Sequence, residues 1–178
     1  MRATRLLATF CAALLIGCES ASGPELTAPG PSSGMGPVVK SVSGSASNTR
    51  GTSWRTFSFI AWEYEDGTVQ GEFWWHYADS PNKGAGTVTC ITIEGNQAWI
   101  GGIITDHARY PEYVDLEGGF RVVDNGAGAG AEADLISYFV PVPYPDIPDV
   151  PDAQTYCNDR TEFPDLHEVE SGDIQVGG

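Results

Sequence analysis

After Ser47 the chain alternates at a period of two, is broken by glycine-rich turns, and shows no stretch of helical periodicity. That pattern restricts the fold to mostly β structure. From Arg55 to Tyr64, Phe57, Phe59 and Ala61 fall on one face while Ile60, Trp62 and Tyr64 fall on the other, which predicts a central strand covered on both sides. Glu65-Asp66-Gly67 supplies a turn. Beyond it, Val69, Gly71, Phe73, Trp75 and Tyr77 alternate with Gln70, Glu72, Trp74 and His76, so a half-buried strand is expected to pair with the first as a hairpin.

Gly86 to Ile93 and Gln97 to Thr105 flank Glu94-Gly95-Asn96 and predict a second hairpin, with Gly101-Gly102 marking a bulge or bend. Gly119 to Asp124, Leu135 to Val140 and Gly172 to Val176 complete the strand list. The prolines between Pro141 and Asp152 deny that interval a ladder, so it reads as a long surface loop. About seven or eight strands at this spacing predict a single antiparallel β-sandwich or small β-barrel.

The N-terminus carries a different signal. Arg2 and Arg5 precede an apolar run from Leu6 to Ile16, and Leu15-Ile16-Gly17-Cys18 closes it in the pattern of a bacterial lipoprotein signal peptide, with Cys18 as the lipidated residue. Ser, Gly, Pro, Ala and Thr dominate from Glu19 to Ser47, too little apolar surface to fold alone. The expected organisation is therefore a signal over 1–17, a lipidated disordered tether over 18–47 and one β domain over 48–178. Multiple acyl chains give stable membrane anchoring where one is marginal, and the implied location is the exported face of the bacterial cell envelope.

Nine Lys and Arg stand against 24 Asp and Glu, a net charge of −15. Such a chain repels nucleic acid. After Asp106 only Arg109, Arg121 and Arg160 offset the acids, and this half should attract cations. Of the four cysteines, Cys11 falls in the signal and Cys18 at the lipid site, leaving Cys90 and Cys157 in the domain. An oxidising compartment favours a disulfide between them, with two free thiols as the alternative.

Three groups are candidates for chemistry. Asp124, Asn125, Glu132 and Asp134 bracket a glycine-rich loop whose oxygens could hold Ca²⁺, although the same residues serve as turn caps elsewhere. Trp74 and His76 lie on the polar-alternating face of their strand, where an exposed indole could stack on a glycan or contact an envelope protein. His76, His107 and His167 are the three histidines, and no nucleophile elbow, zinc motif or Cys-x-x-Cys accompanies them.

Several pieces in order resemble a group of functionally uncharacterised exported bacterial β-domain proteins. They are Arg55-Thr56-Phe57-Ser58-Phe59, the run from Asp66 to Phe73, Gly86 to Ile91, Gly95 to Gly102, Val122 to Gly128 and Gly172 to Val176. The resemblance implies a compact domain ending in a β-strand and supplies no activity. The sequence thus predicts a cell-envelope lipoprotein whose non-catalytic β domain acts as a binding or structural surface module; the alternative is a secreted hydrolase of envelope polymers or glycans.

Overall fold

The structure, a computed structural model, describes residues 34–127, 130–143, 145–146 and 148–178. The expected export signal, Cys18 and most of the expected tether lie outside these residues. Among the described residues one antiparallel sheet of ten strands curls into a half-barrel, so the expected all-β class holds. Among the described residues no second sheet packs against it as a sandwich requires, and the strands exceed the seven or eight expected because Val38–Arg50 and His167–Glu168 are also strands and the one expected over Leu135 to Val140 is split into Leu135–Ile136 and Val140–Pro141.

Five long strands form a meander: β1 (Val38–Arg50), β2 (Ser53–Tyr64), β3 (Val69–Tyr77), β4 (Lys83–Glu94) and β5 (Gln97–His107). β6 (Glu117–Val123) continues it and pairs with both β7 (Leu135–Ile136) and β8 (Val140–Pro141). Helix α1 (Ala153–Asp159) follows, then β9 (His167–Glu168) beside β7, and β10 (Ser171–Gly177) beside β1. The expected hairpins are present, β2 with β3 and β4 with β5. The bulge falls at Val88/Cys90 of β4, directly opposite Gly102 and Gly101.

β1 starts inside the segment expected to be tether, and this boundary is corrected to Val38. Its serines and glycines hide an alternation in which Val42 and Ala46 turn inward beside Ala61 and Phe57 of β2. Pairing on both sides, with β2 and β10, stabilises a strand that composition alone would leave unfolded.

The concave face holds the core. Phe57, Phe59, Phe73 and Phe120 meet at ring-centroid distances between 4.8 and 6.2 Å, packed with Ile100, Ile104, Val122 and Ile174. Aromatic clusters of this kind combine large area burial with edge-to-face attraction. Gly86 makes room for it: a Cβ there would sit 2.1 Å from the Phe73 ring.

On the convex face α1 covers β4, β5 and β6. Asp152 caps it, its carboxylate accepting from Thr155 N at 2.7 Å, and Cys157 joins Cys90 in the expected disulfide. Tyr156 lies flat over Gly119, where a Cβ would come within 2.2 Å of its ring. Gly119→Val is expected to lift α1 and destabilise by about 1–3 kcal/mol, read as a lower urea midpoint. An unchanged midpoint would show that the helix does not need this close approach.

The two ends of the sheet are joined without a complete ladder. The link from β9 to β10 crosses the gap, Val169 N donating to the Asp134 carbonyl at 2.8 Å and Glu170 N to that of Ser47 at 2.9 Å. Beyond it, side chains replace the ladder. Asp134 Oδ2 accepts from Ile174 N at 2.8 Å, and Asp124 Oδ2 accepts from Val176 N at 3.1 Å.

Candidate functional site

Antiparallel connection places the β1–β2, β3–β4 and β5–β6 junctions at one end of the curl. A cavity of about 700 Å³ opens there. It falls in the size range of small-molecule sites, and its walls are largely aromatic. Phe57, Trp75 and Phe139 form the floor, where Trp75 and Phe139 lie nearly parallel at 6.4 Å between centroids and 6° between planes.

His107, Tyr110 and Tyr113 close one side. The segment after β5 bends back through a single 3₁₀ turn, Pro111–Tyr113, and the Tyr110 and Tyr113 rings each pack edge to face on His107 at 5.3 Å. Tyr110 N donates to His107 Nδ1 at 3.2 Å, which keeps the imidazole neutral with its proton on Nε2. Burial also pushes His107 below the ordinary histidine value, against the opposing pull of Asp106 and Glu112.

The other side carries positive charge. Arg55, 1% exposed, extends the inward-facing row of Phe57 and Phe59 to the end of β2 and pairs across the ladder with Asn48. Its Nε donates to Asn48 Oδ1 and its Nη1 to the Ser137 carbonyl, each at 3.2 Å. Nη2 is buried without a partner. The Arg50 and Arg55 guanidinium carbons lie 3.6 and 4.4 Å from the centroid of the Tyr138 ring, whose face attracts both. Burial lowers the Arg55 pKa, Tyr77 and Tyr138 oppose that, and Arg50 adds to it. His167, stacked 4.7 Å from Tyr138, is likewise held low, first by burial, then by Arg55 and Arg50.

Both cavity histidines therefore resist protonation when folded, whereas the unfolded chain binds protons near pH 6.5. The unfolded state takes up more protons below that value, so this contribution is complete above about pH 7 and declines as pH falls through 6.5. Urea unfolding at pH 7.5 and 5.5 should show a loss that the double variant His107→Gln/His167→Gln reduces. Equal losses in both proteins would disconnect these histidines from acid sensitivity.

The sequence candidates are distributed elsewhere. Trp74 and His76 stack on each other at 5.9 Å on the convex face of β3, turned away from the cavity that Trp75 and Tyr77 line. His107 and His167 reach the cavity; His76 does not. Asp165 is the single carboxylate lining it among the described residues, and no cysteine or serine does. The acids expected to hold Ca²⁺ lie at the opposite end. Asp124 and Asp134 direct all four carboxylate oxygens at backbone N–H groups, those of Gly126, Val176, Asn125 and Ile174, while Glu132 is exposed. Asn125 ties the loop down by donating to the Ala133 carbonyl at 2.6 Å. No group of three or more His, Cys, Asp or Glu among the described residues is arranged to hold a metal ion.

Sequence reasoning missed Arg50, Arg55, Tyr77, Tyr110 and Tyr138 as site residues. One signal was available: Arg55 shares the inward parity of Phe57, and a cation on a core-facing row is unusual.

Comparison of the chain with protein-family models, curated proteins and solved structures gives no match.

Proposed function

We propose that the chain is a lipid-anchored protein of the bacterial cell envelope that binds a small molecule in the open end of its curled sheet. The observation that carries this is the cavity, large enough for a small ligand and lined by aromatic rings and by a buried guanidinium whose Nη2 has no hydrogen-bond partner. Core packing alone would have filled such a space, because interiors approach crystal density. Among the described residues the lining has two histidines with one carboxylate and no serine, threonine or cysteine beside them, which supports binding over hydrolysis.

The topology supports an anchor at Cys18. β1 begins with Val38 beside Tyr64 and ends with Arg50 at the cavity, so the chain enters at the far end, about 40 Å away at 3.3 Å per residue. A tethered domain can then present its cavity to solvent.

The test uses N-phenyl-1-naphthylamine, a neutral apolar fluorophore, with the full chain carrying Cys18→Ser so that no lipid or detergent competes. One probe per chain should bind with blue-shifted emission, and filling the cavity with Ile104→Phe/Val140→Phe should abolish it. Absence of binding, or binding untouched by filling, overturns the proposal.

A further inference from the structure

We infer that the ligand is a flat apolar molecule bearing one carboxylate, anchored by Arg55 Nη2 and the Tyr77 hydroxyl. This rests on the binding reading above and adds the chemical class. Arg55 is the largest fully buried side chain among the described residues, and the ion pairs found among those residues, Lys40–Glu63 and Arg160–Glu94, do not involve it. In a chain of 24 acidic residues a buried guanidinium facing a cavity without a carboxylate partner is a vacancy of charge. Unpaired buried ions are destabilising, and a bound anion removes that penalty.

The free donors and the cost of burying charge together select the anion. Arg55 Nε and Nη1 each donate once, to Asn48 and to Ser137, and both N–H groups of Nη2 remain. Tyr77, whose hydroxyl accepts from Arg50 Nη1 at 3.2 Å, keeps its own proton to donate. Nη2 and the Tyr77 hydroxyl each donate to one oxygen of a carboxylate, whose single charge answers the one guanidinium buried here. A phosphate monoester carries nearly two charges, and removing them from water into an aromatic-walled cavity costs more. The nearly parallel Trp75 and Phe139 rings of the cavity floor offer a surface on which a flat apolar body could stack.

Isothermal titration of the full chain with Cys18→Ser would compare 2-naphthoate, its neutral analogue 2-naphthamide, and 2-naphthyl phosphate. Naphthoate should bind at least about tenfold more tightly than the other two, the usual advantage of a charge-assisted hydrogen bond. Arg55→Gln should bring naphthoate and naphthamide to equal affinity. Should that variant fail to fold, Tyr77→Phe, which keeps the ring, should cut the ratio severalfold. Equal affinities in the parent protein, or tighter phosphate binding, would overturn the carboxylate inference and leave cavity binding intact. Failure of all three compounds and of the neutral fluorophore would overturn both.

Discussion

Asp134→Ala should lower stability by about 2–5 kcal/mol, because it strands two backbone donors, Asn125 N and the buried Ile174 N, that its carboxylate now satisfies. The residue is 8% exposed, so water cannot readily replace it. Asp134→Asn should recover only part of the loss, since an amide presents one acceptor and points its NH₂ at the second donor. Urea midpoints of the three proteins test this directly. The same measurement separates closure of the sheet from cation binding. If the carboxylates serve the backbone, excess calcium and chelator leave the parent midpoint in place while the variants remain destabilised. A parent midpoint that rises with calcium would return the loop to the metal reading.

Removing the Cys90–Cys157 disulfide by a paired Cys→Ala change should cost about 4 kcal/mol, the loop-closure entropy expected for its sequence separation of 67 residues. The effect should be uneven across the molecule. Helix α1 has seven residues, well below the length at which an isolated helix persists, and it depends on Tyr156, the Asp152 cap and this covalent link to stay on the sheet. Hydrogen exchange should therefore accelerate in Ala153–Asp159 far more than in β2 or β3. Uniform acceleration would mean that the disulfide acts only through the unfolded chain.

The long strands were legible because their inner faces carry large side chains at strict alternation: Phe57 and Phe59 in β2, Phe73 and Trp75 in β3. β1 was not, since Val42 and Ala46 are its only clear inward residues and Ser and Gly surround them. α1 is too short for its period to show, and its position depends on a glycine, Gly119, distant in sequence. The cavity was hidden for a related reason. Its residues come from β1, β2, β3, the β5–β6 connection, the segment before β8 and the segment before β9, and only the curl of the sheet assembles them. Trp74 is one residue from Trp75 of the cavity floor, and a period of two identifies faces without saying which face encloses space.

The carboxylate closure also bears on how neighbouring copies meet. An open sheet ordinarily ends in a row of free N–H groups that recruits strands from other molecules. Along β10 the Ile174 and Val176 amides are already held by Asp134 and Asp124, which replace that row with short side-chain contacts and negative charge. Two copies brought together therefore find the Ile174 and Val176 amides of this edge already satisfied, and β10 is a poor template for a strand from another molecule.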